Sequence, residues 1–132
     1  MFGEAVVFTH GNMPKNFVTL VKQHGALLAK GWLLGVQFDT LFTDDLYCRI
    51  ARHANDAADR IREVLVERGY TLTFDAPTNQ IFITLDNATS ERLQRNVRLG
   101  FMEKADDTHT VMRICTSWAT TDEQVEQLIA LL

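Results

Sequence analysis

The sequence has 132 residues, the size of one domain or of a part of a larger protein. Apolar residues make up 46% and charged residues 23%, which is typical of a globular chain and excludes a disordered or coiled-coil protein. A net charge of −4 argues against a basic nucleic-acid-binding surface. No apolar run reaches the roughly 20 residues that a membrane helix needs, and the N-terminus lacks a signal-peptide pattern. Two cysteines without a CxxC motif indicate reduced thiols, so we expect a cytoplasmic protein.

The first third of the chain predicts one strand followed by helices. Residues 4–10 (EAVVFTH) form a short apolar run, long enough for one buried strand. Pro14 suits the first turn of a helix that continues to about Gly25. Residues 26–42 (ALLAKGWLLGVQFDTLF) predict a helix that is apolar on almost every side, and such a helix must be buried on more than one side. We therefore expect residues 26–42 to pack against a second copy of the chain or against a missing domain.

The remainder of the chain predicts a small α+β domain. A long amphipathic helix begins with Thr43 as its N-cap and ends at Gly69. Residues 120–123 (TTDE) form a capping box that opens a final helix. Between these helices the pattern predicts four strands and one short helix, at residues 70–74, 80–85, 87–97 (the helix), 101–103 and 110–116. The order helix–β–β–helix–β–β–helix predicts a small antiparallel sheet covered by helices.

No motif in the sequence identifies a catalytic or metal site by itself. The four histidines are scattered without ligand spacing, and His53 is expected at the surface of the long helix. No P-loop, GxGxxG or GxSxG motif is present. Cys48 and Cys115 have no neighbouring base, so we expect both to act as small hydrophobic residues in the core.

Three basic residues are candidates for binding an anion. Arg113 alternates with Val111 and Cys115 on one face of a predicted strand. An arginine among apolar residues on a strand either extends its charge past the edge of the sheet or grips an anion in a cleft with two hydrogen bonds. Lys22 and Lys30 flank a glycine-containing helix junction, where a lysine either contacts a phosphate or simply lies at the surface.

Four segments of the chain resemble one enzyme family. They are FGEAVVF, KQHGALLAKGWLLGVQFDTLFTDDLY, PTNQIFITL and VMRICTSWATTDEQVEQLI. Together they resemble the C-terminal part of the pyridoxal-phosphate-dependent low-specificity threonine aldolase and β-eliminating lyase (tryptophanase-like) family, which has the aminotransferase type I fold. The resemblance runs over essentially the whole chain. It implies that residues 1–42 are a strand and interface helices of the large cofactor-binding domain, and that residues 43–132 are the C-terminal small domain.

The resemblance also implies roles for individual residues. It implies that Arg113 holds the α-carboxylate of an amino-acid substrate, and that Lys22 and, with less support, Lys30 contact the phosphate of pyridoxal 5′-phosphate. The family's cofactor-bearing lysine precedes the segment that matches residues 2–8, whereas no lysine of this sequence precedes Lys15. We therefore expect a segment of a lyase that cleaves Cα–Cβ bonds or carries out β-elimination on an amino acid. By itself the segment is expected to bind no cofactor and to be inactive.

Two other interpretations remain open. The chain could be a stand-alone module that dimerises through residues 26–42 and recognises a carboxylate without catalysis. It could also be one part of a split enzyme whose lysine comes from another polypeptide. The sequence does not determine which amino acid the parent enzyme uses, or whether the reaction is aldol cleavage or β-elimination.

Overall fold

The computed structural model describes residues 2–132, which form two compact units. Unit 1 extends to Tyr47, and unit 2 spans Cys48–Leu132. This boundary falls in the first turn of a long helix. The division of the sequence at residues 42 and 43 refers to the domains of the parent enzyme and stays a prediction, and Met1 lies outside the described residues.

Unit 1 contains two complete α-helices, α1 (Phe17–Gln23) and α2 (Trp32–Phe42), and a short 3-10 helix at Thr43–Asp45. The N-terminal segment runs against α2, because the backbone N–H of Phe2 donates to Oε1 of Gln37 at 2.8 Å. Next to it, Gly3 has a φ of +138°, and a Cβ at this position would meet a leucine methyl group of α2 at 3.4 Å. A glycine therefore suits both the backbone conformation and the close approach to the helix.

Two predictions for unit 1 are wrong. No strand forms at residues 4–10, and residues 2–47 contain no second strand that could take up the backbone hydrogen bonds of this segment. The helix predicted for residues 26–42 begins only at Trp32, because Gly25, with a φ of +68°, ends α1 and a turn follows it. No residue of α2 is buried within the chain, so its packing against other protein stays a prediction.

Unit 2 is built on a four-stranded antiparallel sheet with the strand order β1-β2-β4-β3, so that β2 and β4 are internal. Its elements are α3 (Leu46–Glu67, which begins in unit 1), β1 (Thr71–Leu72), β2 (Gln80–Asp86), α4 (Asn87–Gln94), β3 (Gly100–Lys104), β4 (His109–Cys115) and α5 (Asp122–Leu131). The predicted α+β class and the order helix–β–β–helix–β–β–helix are confirmed.

The helices of unit 2 pack on one face of the sheet. Apolar residues alternate along β2 and β4, and those on the helical side form the core with residues of α3, α4 and α5. The core includes Ile61, Leu65, Ile81, Ile83, Leu93, Met112, Ile114, Val125 and Leu128. The opposite face carries the alternate residues Gln80, Phe82, Thr84, Val111 and Arg113. This second face therefore combines polar side chains with the apolar Phe82 and Val111.

Two helix starts differ from the prediction. Thr43 does not cap α3, because its hydroxyl donates to the carbonyl of Asp39 at 2.6 Å and the next two residues adopt positive φ angles before the helix begins. The capping box of α5 lies one residue later than predicted, with Thr121 as N-cap and the Gln124 side chain bonding back to the Thr121 N–H at 3.0 Å. For α5 the sequence indicated a helix start, but not which of the two adjacent threonines forms the cap.

The two cysteines are exposed, and the prediction that they lie in the core is wrong. Cys115 follows Ile114, so strand alternation turns it to the face opposite the core. His53 is exposed as expected, and its Nε2 lies 2.7 Å from the carbonyl oxygen of Thr120. Gly69 ends α3 with a φ of +78°, which confirms its predicted role at the helix terminus.

Candidate functional site

Arg113 lies on an internal strand of the sheet. On β4 it is opposite Phe82 of β2 on one side and Gly100 of β3 on the other. Its side chain is half-buried and points away from the core residues Met112 and Ile114. An internal strand does not fit the interpretation in which the arginine extends past the sheet edge, while the assignment of Arg113 as an anion contact stays a prediction.

The guanidinium of Arg113 has little to bind within the chain. Its Nη1 donates to Oε1 of Gln80 at 3.3 Å, a long bond to a neutral acceptor. Among residues 2–132 its Nε is the one buried side-chain nitrogen or oxygen without a hydrogen-bond partner. A buried donor without an acceptor costs free energy, more so when the group is charged, and an acceptor that reaches it removes that penalty.

No carboxylate among residues 2–132 forms an ion pair with Arg113. Glu103 is the acidic residue of the neighbouring strand β3, and the strand register places it opposite Val111 and not opposite Arg113.

The Arg113 side chain lies close over Gly100 on one side and next to the apolar Phe82 on the other. A Cβ on Gly100 would lie 3.5 Å from the Arg113 Nε and 3.4 Å from the Arg113 carbonyl oxygen. On the other side, Phe82 packs on Phe74 with a distance of 4.5 Å between the ring centroids. A charge-assisted hydrogen bond is stronger beside such apolar groups than in open water. The arrangement suits a planar, two-oxygen anion such as a carboxylate.

Lys22 and Lys30 belong to unit 1, whereas Arg113 belongs to unit 2. Lys22 occupies the last turn of α1, where a cation also interacts favourably with the helix dipole, and Lys30 lies in the turn before α2. Both side chains are exposed, and neither makes a hydrogen bond or ion pair among residues 2–132. Both ammonium groups are therefore chemically suited to a phosphate, while their assignment as cofactor contacts stays a prediction.

Sequence reasoning missed the partners of Arg113. Gln80 and Gly100 are 33 and 13 residues away from it in sequence, and no motif links them. Only the strand order and register bring them to the same face of the sheet. A correct pairing of the four strands would have found them.

A second polar cluster forms the turn between β3 and β4. The carboxylate of Asp106 accepts hydrogen bonds from the side chain and N–H of Thr108 and from His109, and these bonds hold the pKa of Asp106 well below its usual range. The bonds all lie within one tight turn, so the cluster is a structural feature of the hairpin.

Residues 2–132 contain no group of three histidine, cysteine or acidic side chains placed to hold a metal ion. None of the helices in this part of the chain is long and apolar enough to span a membrane.

Two curated proteins are similar to the chain over nearly its whole length. The low-specificity L-threonine aldolase of Pseudomonas aeruginosa is 28% identical over 127 residues, which are 96% of this chain and 36% of the aldolase. The protein of the same name from a Pseudomonas sp. is 28% identical over 129 residues, with 97% and 36% coverage. The chain thus spans about a third of the length of the curated relatives it matches. No protein-family profile matches it.

Solved structures also show similarity to a threonine aldolase. The threonine aldolase of Leishmania major superposes with a TM-score of 0.83 at 35% identity, over 89% of this chain and 34% of that protein. Serine palmitoyltransferase of Sphingomonas wittichii superposes with a TM-score of 0.51 at 22% identity, over 61% of this chain and 22% of that protein, which shows a shared fold alone. The resemblance to threonine aldolases seen in the sequence is confirmed.

Proposed function

We propose that this chain is the carboxylate-binding part of a pyridoxal-phosphate-dependent lyase. The proposal is supported by its similarity to the low-specificity L-threonine aldolases, of whose length it spans about a third. The substrate class is amino acids, and Arg113 binds the α-carboxylate. The observation that carries this proposal is the buried Arg113 Nε without a partner, on the face of the sheet that the helices of unit 2 leave free.

The contribution of this chain is binding and orientation. Two parallel hydrogen bonds from a guanidinium to a carboxylate fix the plane of the carboxylate, and through it the direction of the bonds at Cα. Pyridoxal phosphate, when bound, supplies the electron sink for cleavage of a bond at Cα. Lysine in place of Arg113 would keep the positive charge but not the planar pair of donors. It would still attract the substrate carboxylate but would no longer fix its orientation.

The remaining parts of the proposal concern the cofactor and the reaction. Lys22 and Lys30 are proposed to contact the cofactor phosphate, which their exposed and unpaired ammonium groups support. The 132 residues alone are proposed to be inactive and to hold no cofactor covalently, since the resemblance puts the cofactor-bearing lysine before residues 2–8. Aldol cleavage between Cα and Cβ is favoured over β-elimination, because the similar proteins are named threonine aldolases.

The test of the carboxylate site uses the chain itself. The Arg113 Nε–H resonance of the nitrogen-15-labelled protein is followed by NMR while L-threonine is added, with L-threonine amide as the matched ligand that lacks the carboxylate. We expect a saturable shift with L-threonine, in the millimolar range, and none with the amide. Equal shifts with both ligands, or no shift at tens of millimolar L-threonine, would contradict the proposal.

A second candidate function is a non-catalytic module that associates through unit 1. The specific observation in its favour is the exposure of large apolar side chains of α2, with Trp32 65% and Val36 54% exposed. Such a surface is typical of a region that other protein covers, either a second copy or the rest of an aldolase fold. Activity of a threonine aldolase that contains this segment, tested below, distinguishes the two functions.

A further inference from the structure

We propose that Gln80 is a positioning residue that holds the Arg113 guanidinium in the orientation that receives the substrate carboxylate. This inference rests on the proposed function, since it concerns the same arginine. Gln80 touches Arg113 and is not itself assigned a contact with substrate.

The chemistry of the pair requires the oxygen of Gln80 to face Arg113. A guanidinium has five N–H donors and no acceptor, so the contact of 3.3 Å between Arg113 Nη1 and Gln80 is a hydrogen bond only with Oε1 as its acceptor. The amide is neutral and therefore orients the guanidinium without cancelling its charge. A glutamate in this place would pair with Arg113 and occupy the position of the ligand.

Gln80 is the first residue of β2, and its backbone is held against the last residue of β4. Gln80 pairs with Cys115 in the sheet, and its neighbour Asn79 donates through its side-chain amide to the carbonyl of Thr116 at 2.6 Å. The N–H of Thr116 donates back to the Asn79 carbonyl at 3.1 Å. The buried Thr116 hydroxyl also donates to the carbonyl of Ala54 on α3 at 2.6 Å. The acceptor for Arg113 is thus attached to a rigid junction of two strands and a helix.

Gln80 and Gly100 lie on opposite sides of Arg113. Gly100, on β3, presents no side chain, so nothing from that strand fixes the guanidinium. Gln80, on β2, is the one hydrogen-bond partner of the Arg113 side chain among residues 2–132. The orientation of the guanidinium within the sheet face therefore depends on Gln80.

Three substitutions separate orientation from packing and charge. Gln80→Met keeps the length of the side chain but removes the acceptor, Gln80→Ala removes both, and Gln80→Glu replaces the neutral acceptor by a competing carboxylate. The matched control is Gln94→Glu on α4, where the amide bonds to Ser90 and the added charge lies on the helical side of the sheet. All four variants are expected to melt within a few degrees of the unmodified chain.

Two NMR readouts on the complete 132-residue chain test the inference. Without ligand, rotation about the Cζ–Nη1 bond of Arg113 is expected to be at least about 3-fold faster in Gln80→Met and Gln80→Ala than in the unmodified chain, because a hydrogen bond to Nη1 resists that rotation. With L-threonine as the probe, the dissociation constant is expected to rise about 3- to 10-fold in these variants. The guanidinium is then no longer oriented in the free protein, and binding must pay the cost of ordering it. The dissociation constant should rise at least about 30-fold in Gln80→Glu, and Gln94→Glu should change neither readout.

The outcomes separate this inference from the proposed function. If L-threonine shifts the Arg113 resonance equally in all variants and the rotation rate is unchanged, the role of Gln80 is overturned while the carboxylate site stands. If the Gln80 variants change the rotation rate but L-threonine binds to none of them, nor to the unmodified chain, the positioning contact is upheld and the carboxylate site is overturned. If Gln80→Glu and Gln80→Met weaken L-threonine binding equally, the glutamate side chain does not compete with the ligand for Arg113, and this outcome would contradict the contact between residue 80 and the guanidinium.

Discussion

Arg113 and Gly100 are paired across β4 and β3, and a Cβ on Gly100 would lie 3.5 Å from the Arg113 Nε. The contact is an ordinary van der Waals distance for one methyl group, but a larger side chain would crowd the guanidinium. Gly100 has no positive φ, so its backbone conformation does not require glycine. Glycine at this position therefore allows the Arg113 side chain to lie close over β3.

Substitution of Gly100 should separate binding from stability. We expect Gly100→Val to weaken L-threonine binding about 10-fold or more by displacing the guanidinium, while Gly100→Ala has a much smaller effect. Valine suits a strand better than glycine, so the melting temperature should stay equal or rise. Both quantities are measured on the same samples by NMR titration and thermal melting. A valine variant that binds as well as the unmodified chain would show that the space beside Arg113 is not used.

The stability of the chain should depend little on Arg113. We expect Arg113→Lys and Arg113→Ala to change the free energy of unfolding by at most about 1 kcal/mol, because the guanidinium makes one long hydrogen bond and supports no core contact. The matched control is the next residue, Ile114, which faces the core and is 6% exposed. Ile114→Ala should cost about 2–5 kcal/mol. Loss of many degrees of melting temperature in either Arg113 variant would assign the arginine a structural role.

The fold of unit 2 could be predicted well from the sequence, whereas the site could not. Amphipathic α3 and the alternation of Val111 to Cys115 indicate which face is buried, because burial repeats with the period of each element. The partners Gln80 and Gly100 depend on which strands are neighbours, and local patterns carry no such information. The strand predicted at residues 4–10 failed for a related reason, since apolar residues favour a strand only where another strand pairs with it.

The exposed apolar residues of α2 should promote self-association of the chain. Trp32 and Val36 on α2 are 65% and 54% exposed, whereas Leu34 lies against Gly3. We expect the double variant Trp32→Glu, Val36→Glu to remain folded and to reduce self-association at high micromolar concentration, measured by sedimentation velocity. Leu34→Glu should instead disrupt the packing of the N-terminal segment on α2, seen as a loss of helical signal. An unmodified chain that sediments as a stable monomer would contradict association through this surface.

The β3–β4 turn should make stability depend on pH. The folded-state pKa of Asp106 is lowered by hydrogen bonds from Thr108 and His109, so the carboxylate stabilises the hairpin above the ordinary pKa of an aspartate. This contribution is expected to be complete at neutral pH and to be lost as the pH falls below about 4. Asp106→Asn should lower the melting temperature at pH 7 and weaken its decrease between about pH 5 and pH 2. Identical pH profiles of the two proteins would assign the acid sensitivity to other carboxylates.

The central claim is that Arg113 binds the substrate carboxylate of a threonine-aldolase-like lyase. The most direct measurement replaces the matching segment of the Pseudomonas aeruginosa low-specificity L-threonine aldolase by these 132 residues and compares kcat/KM for L-threonine with and without Arg113→Lys. Bound cofactor, followed by its absorbance, confirms that both hybrid proteins are folded. We predict that the hybrid is active and that Arg113→Lys lowers kcat/KM by about 30- to 150-fold, or about 2–3 kcal/mol. An active hybrid in which Arg113→Lys changes kcat/KM less than about 3-fold would contradict the claim.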